Sequence, residues 1–392
     1  MASLPRLSIV TLLLLAALAS AQEKTSAEGA QGTSATSMPG PESSPAAEFR
    51  IAEPGWQFEF PRDHGSHEEF QTEWWYFTGH LEGSAGRKFG FELTFFRVGI
   101  EPPSTPRTSS WDLHNLALAH FALTDITGRQ FRFHEKLNRQ SPFTAGSATG
   151  SLNVFNEGWT AMTQPDGSWR IRASTAGDGI DLVLRATKPP AIHGTEGVSV
   201  KAATRGAASH YYSMPRLAAE GFVTAKGARI RCRGLVWMDH EYSTSILAPD
   251  QAGWDWFSLQ LNDGNDLMLY QMRKKDGSID SSSSGSYIDR EGAVRHLAAS
   301  DFSIRPNGSW RSEKSGGVYP MGWDIRVPSL DLALTVSEVM KDQELITTSS
   351  TGVTYWEGAV LTRGRSGPRN IEGQGYVEMT GYAGDFDMNA TR

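Results

Sequence analysis

Between Gly234 and Ser243 the chain reads GLVWMDHEYS, in which Asp239, His240 and Glu241 follow directly on a buried-looking run, Leu235 to Met238. Burying carboxylates is costly unless they are paired, hydrogen-bonded or kept protonated. The stretch is therefore a surface turn, a structural knot or an acid–base centre. Strand alternation sets Trp237, Asp239 and Glu241 on one face and Met238, His240 and Tyr242 on the other. Three consecutive side chains so arranged do not converge on one ion, and no metal site is expected. In an apolar pocket, desolvation would raise a carboxyl such as Asp239 and make it a general acid near neutral pH. The plainer alternative ties each strand-end carboxylate to an arginine or a backbone amide.

Other chemistry-bearing residues are scattered. EWWYF (Glu73–Phe77) and WDWF (Trp254–Phe257) supply aromatics suited to a core or to a pocket wall. His114 and His120 lie near an aromatic strand, and SHYYSMPRL adds His210, Tyr211 and Tyr212 ahead of a proline-marked bend. A lone histidine in such a setting is first a satisfied structural residue. The chain has no G-x-S-x-G elbow, H-E-x-x-H, C-x-x-C, phosphate-binding loop or G-x-G-x-x-G, so no cofactor is expected.

The elements that must position these residues read as β-strands. KFGFELTFFRVGI, WRIRAS, DLVLRATK, WDWFSLQL, DLMLYQMRK, WDIRVP and LDLALTVSEV are short alternating or aromatic runs. Turn chemistry such as PDGS, AGDG, NDGND and KDGS separates them. The sequence also repeats internally. EWWYFTGHL aligns with GWDWFSLQL, SWRIRASTAGDGIDLVLRAT with GWDIRVPSLDLALTVSEV, and GLVWMDHEYS with GQGYVEMTGY, which sets Glu378 opposite Asp239. Each half thus offers a carboxylate two residues after an aromatic. The expectation is an all-β chain of two similar domains, 50–248 and 249–392.

Arg6, the apolar stretch Leu7–Leu18 and the A-x-A site Ala19–Ala21 have the layout of a signal peptide over 1–21, with cleavage before Gln22. The apolar run is short for a bilayer of about 30 Å, and no other long one follows. Residues 22–49 are mostly small, polar and acidic and read as a disordered leader. The formal charge of −7 becomes −8 once Arg6 is lost, with no basic block, so nucleic acid is not an expected partner. The single cysteine, Cys232, excludes an intrachain disulfide and reads as an apolar filler. With 12 Trp and 18 Phe the core is strongly aromatic.

Taken together, EWWYFTGHL, AHFALTD, YYSMPRL, WMDHEYS, GWDWFSLQL, LMLYQMR and GYVEMTGY resemble the carotenoid 1,2-hydratase-like and AttH-like proteins, from about Phe58 to Tyr382. The resemblance implies two lipocalin-like (calycin-like) β-barrel domains related by internal duplication, with an apolar pocket between or within them. It also implies a hydro-lyase or hydrolase without metal, acting on a terpenoid or lipid-like molecule. By motif position Asp239 and His240 are the catalytic candidates. Trp237, Tyr242, Trp75, His120, Tyr212, Trp256 and Glu378 are the substrate-binding candidates. The signal peptide departs from a cytoplasmic carotenoid pathway and leaves a second expectation open, a lipocalin-type carrier of hydrophobic small molecules.

Overall fold

The computed structural model describes residues 48–384 apart from 107–108, 110–111 and 245–246. The expected signal peptide over 1–21, and the expected leader up to residue 47, lie outside the described residues. Among those described, helical structure amounts to four 3-10 turns of three residues each, and the rest of the regular structure is β.

Alternating apolar residues turn each strand into a two-faced ribbon, and two antiparallel sheets result. The first has 13 strands between Thr72 and Ser243, the second 10 strands between Gln251 and Thr380. They curl into a nearly closed barrel and a half-barrel, as expected for paired lipocalin-like domains. In the first sheet, side chains close the seam between its ends: Asn156 Nδ2 donates to the Ala117 carbonyl at 3.1 Å, and Arg132 grips Asp178 through two 2.6 Å bonds.

The duplication is visible in strand order. From one edge, the first sheet runs Gln130–Arg139, Asn115–Asp125, Lys88–Gly99, Thr72–Gly83, Ala228–Ser243, Ala208–Ala225, Gly179–Ala186, Trp169–Ser174 and Trp159–Thr163. The second runs Val294–Ala298, Ser284–Ile288, Asp266–Lys274, Gln251–Leu261, Arg369–Thr380, Thr354–Ser366, Leu332–Glu338, Val318–Val327 and Ser303–Arg311, the same order of connections. Register repeats as well: Tyr76 pairs with Asp239 in one half, and its aligned residue Trp256 pairs with Glu378 in the other.

Each barrel holds its own core. Trp75, Phe77, Phe91, Phe95, Phe121 and Trp159 fill the first, and Phe257, Trp323, Trp356 and Val377 the second. Cys232 lies in the first core, where burial pushes its thiol up to about 11, so it is a packed and unreactive side chain. A third apolar cluster, with Tyr76, Tyr211, Trp237, Trp256, Tyr270 and Tyr376, draws on both sheets and seals them face to face. Gly90 allows that closeness: a Cβ there would stand 2.5 Å from the Tyr376 hydroxyl and 2.9 Å from Ala359 Cβ. Reciprocal bonds pin the contact, His80 Nε2 to the Gly375 carbonyl at 2.9 Å and Gln260 Nε2 to the Val236 carbonyl at 3.3 Å. Val236 and Gly375 are aligned positions of the repeat, so the halves meet about a local pseudo-twofold.

Candidate active site between the two sheets

Register builds one polar row across the outer face of the first sheet. His120 pairs with Thr94, Thr94 with Tyr76, Tyr76 with Asp239 and Asp239 with Ser213. Directly paired residues share a face, so all five look toward the second half. The facing row there is Ser284, Tyr270, Trp256, Glu378 and Glu357. The rows touch where the Tyr76 hydroxyl donates to Glu357 Oε1 at 2.7 Å, and beside them Trp256 Nε1 donates to the Tyr211 hydroxyl at 3.0 Å.

Four carboxyl groups collect at this seam without a balancing cation for each. Asp239 is 3% exposed; its Oδ1 accepts the Trp237 indole N–H at 2.7 Å and the Ser213 hydroxyl. Desolvation outweighs those donors and pushes Asp239 up to about 7. Glu92 is buried, bonded to the Thr94 hydroxyl, and desolvation carries it to about 8. Glu357 rises well above its ordinary value through desolvation and the nearby Glu378 and Glu92 charges. Glu378 keeps partial exposure and moves up to about 8, through desolvation and the neighbouring Glu92. Glu92 Oε2 and Glu357 Oε2 are buried with no hydrogen-bond partner among the described residues. Burial thus favours the protonated form of each, and Asp239 near 7 is poised between its two forms.

The nearest cation is Lys201, whose Nζ lies 3.0 Å from Glu241 and over the rings of Tyr211 and Tyr270 at 5.0 and 4.2 Å. It pairs with Glu241, whose charge adds to the desolvation that raises Asp239, and it also interacts with Asp239 itself. The seam cluster also has partly exposed members, Trp74, Trp254, Leu247 and Val339, which form its rim.

The candidates from sequence divide between the seam and the interior of the first barrel. Trp237, Asp239, His120, Trp256 and Glu378 face the seam. Here His120 is held by the Tyr355 hydroxyl at 2.7 Å and Ser350 Oγ at 2.8 Å, both from the second half. Trp75, Tyr212, His240 and Tyr242 face the first barrel's interior, with Trp75 stacked on His240 at 4.8 Å. There His240 Nε2 and His67 Nδ1 each lie 2.9 Å from Glu73 Oε1, Arg97 Nε donates to Glu73 Oε2 at 3.0 Å, and His67 Nε2 meets Asp63 Oδ1 at 3.0 Å. The ligand atoms of His67, Glu73 and His240 come within 4.8 Å of one another, a spacing an ion can use. In this structure they bond to one another, and the bonds to Asp63 and Glu73 outweigh desolvation and raise His67 to about 9. Sequence alternation points away from any such convergent set, because it weighs His240 with Asp239 and Glu241 and not with Glu73 across the ladder or His67 before it. The structure also adds Tyr76, Glu92, His193, Ser213 and Glu357 to the seam. Of these, Glu92 carried a signal, a lone charge inside the apolar run FELTFF.

A family model described as AttH-like matches residues 51–382. Among solved structures, an AttH of Nitrosomonas europaea is 34% identical, covering 85% of this chain and all of that one, with a TM-score of 0.76. Kievitone hydratase of Nectria haematococca superposes with a TM-score of 0.64 at 13% identity, over 86% of this chain and 98% of that one, a likeness of fold. Dehydratase asqC of Emericella nidulans is 24% identical over 247 residues, 60% of this chain. The match spans 65% of that relative's length.

Proposed function

The chain belongs to the AttH-like family, and from that premise we propose that it is a hydratase-type enzyme with its acid–base centre at the seam between the two sheets. The observation that carries this reading is Asp239: buried, shifted to about 7, and set among aromatic faces opposite a second carboxyl pair. Two relatives named for adding or removing water, asqC and kievitone hydratase, support the reaction class.

The chemistry balances at one residue. Protonated Asp239 gives its proton to one carbon of an alkene, and the cation left on the other carbon is stabilised by the faces of Tyr76, Trp237 and Trp256. Water bonds to that carbon and returns a proton to the Asp239 carboxylate. Run backwards, the same steps eliminate water. A carboxyl near 7 serves both directions, because both of its forms are populated at neutral pH. The substrate class is an apolar, terpenoid or lipid-like alkene or its tertiary alcohol, matching the aromatic walls. We read the mature chain as exported and beginning at Gln22, which N-terminal sequencing of the secreted or periplasmic fraction tests.

The test is incubation with a panel of isoprenoid alkenes and tertiary alcohols, followed by mass spectrometry for gain or loss of one water. Asp239→Asn should lower any turnover about 10²-fold or more, the scale of a lost general acid. Full turnover by this variant would sink the reading, and recovery of every ligand unaltered would favour a carrier.

A further inference from the structure

Trp237 fixes the direction of a hydrogen-bond chain that crosses both halves of the molecule. An indole N–H can only donate, and it donates to Asp239 Oδ1 at 2.7 Å. Ser213 Oγ donates to the same atom, so Oδ1 takes both bonds as acceptor and is the carbonyl-type oxygen. With its hydrogen committed, Ser213 Oγ receives one from His193 Nε2, 2.6 Å away. The proton of this neutral ring is then on Nε2, and bare Nδ1 accepts from Ser286 Oγ at 2.8 Å. All five side chains are buried, His193 and Ser286 at 1% exposure. Desolvation lowers His193 to about 3, which keeps the ring neutral as the chain requires.

The location of these residues is not incidental. The two-residue strand Ala191–Ile192 pairs with Ser213 and Tyr212, and the His193 amide then bonds the Tyr211 carbonyl at 2.9 Å. His193 is thereby held between the first sheet and Ser286, which belongs to the second half. Neither the ladder nor the apolar seam needs a histidine here.

Resting on the reading of Asp239 as the acid, we propose that His193 and Ser213, with Ser286 behind them, are positioning residues: they keep Oδ1 as a double acceptor, so the transferable proton resides on Oδ2. The second half thus sets which oxygen of the first half's acid does the chemistry. Without His193, the Ser213 hydroxyl is free to turn away, and the carboxylate loses a donor that favours its charged form.

Carboxyl carbon NMR of the aspartate-labelled full-length protein, with the Asp239 signal assigned by its loss in Asp239→Asn, reads this directly. Glu241, Lys201, Tyr211, Tyr76, Glu357 and Glu378 also bear on this carboxyl, and each is retained in every variant. Ser213→Ala should raise the Asp239 midpoint by about one pH unit, the usual worth of one bond to a charged group, and Ser213→Thr should hold it. His193→Ala should raise it part of that way, His193→Gln should restore it through its amide N–H, and Ser213→Ala with His193→Ala should go no higher than Ser213→Ala alone. Ser286→Ala should give a smaller rise. An unmoved midpoint in His193→Ala, a failed rescue by His193→Gln, or additive shifts in the double variant would each overturn the proposal. Thermal melts of the same samples confirm folding. The readout needs no substrate, so it separates this inference from the assignment of activity: turnover surviving in Asp239→Asn defeats the function and leaves the bonding chain standing.

Discussion

Glu73 and Asp239 lie on neighbouring strands, three residue pairs apart along one ladder, and that odd separation turns them to opposite faces. Both carboxyls are buried, yet their acidities diverge. Glu73 sits among His67, His240 and Arg97, and their bonds and charges outweigh desolvation and hold it well below the carboxylate range. Asp239 has the neutral donors Ser213, Trp237 and Tyr211, and desolvation wins. The partners decide the role: cations make a buried carboxylate a structural tie, and neutral donors leave it able to exchange a proton.

The sharpest way to break this contrast is Glu73→Gln. Removing one member of a buried ionic network strands the others, a loss of about 3–5 kcal/mol, which urea denaturation would read. Asp239→Asn should instead retain nearly all stability while losing turnover. If the two variants exchange outcomes, the roles assigned to the two faces are reversed.

Acidity gives a second test, with opposite trends on the two faces. His67 is raised to about 9 in the folded chain from an ordinary 6.5. Its contribution is fully present below 6.5 and is lost as pH rises through about 9. Asp239 binds its proton more tightly when folded, so it erodes stability between its ordinary 3.8 and about 7 and costs nothing further above that. Melting temperature against pH should therefore lose its alkaline fall in His67→Asn and its fall between pH 4 and 7 in Asp239→Asn. An unchanged profile in either variant removes that group from the account.

Much of this was legible in the sequence. Alternation and turn residues gave the strands, the repeat gave two like halves, and the motif gave Asp239 with its counterpart Glu378. Alternation even separated Asp239 from His240. What it does not say is which face of a strand meets the other half, so His240, Tyr212 and Trp75 entered one candidate set with residues on the far side of the sheet. His67 and Asp63 precede the first strand, in a segment with no period to read. Glu357 and Ser213 occupy matching places, each paired with its half's key carboxylate, but their different chemistry hid the equivalence. That divergence has a consequence: Ser213 leaves Asp239 with a neutral neighbour, whereas Glu357 stands beside Glu378, and desolvation together with the Glu378 charge raises it.

The smallest expected effect bears on whether the two rows form one site. Tyr76 and Glu357 come from different halves, and their 2.7 Å bond is the direct link between the row of Asp239 and the row of Glu378. Desolvation and the Glu378 and Glu92 charges raise Glu357 well above its ordinary value, and a typical intramolecular hydrogen bond is worth about 1 kcal/mol net. Tyr76→Phe leaves the ring in the seam and removes only the hydroxyl, and Glu357→Gln keeps an acceptor of the same shape. Tyr76→Phe with Glu357→Ala, compared with each alone, should show a coupling of about 1 kcal/mol in denaturant unfolding, while Glu357→Gln alone should change little. A coupling of zero would mean that the rows do not engage in solution. Asp239 would then work without the second half, and the contrast between the two faces would stand on the first barrel alone.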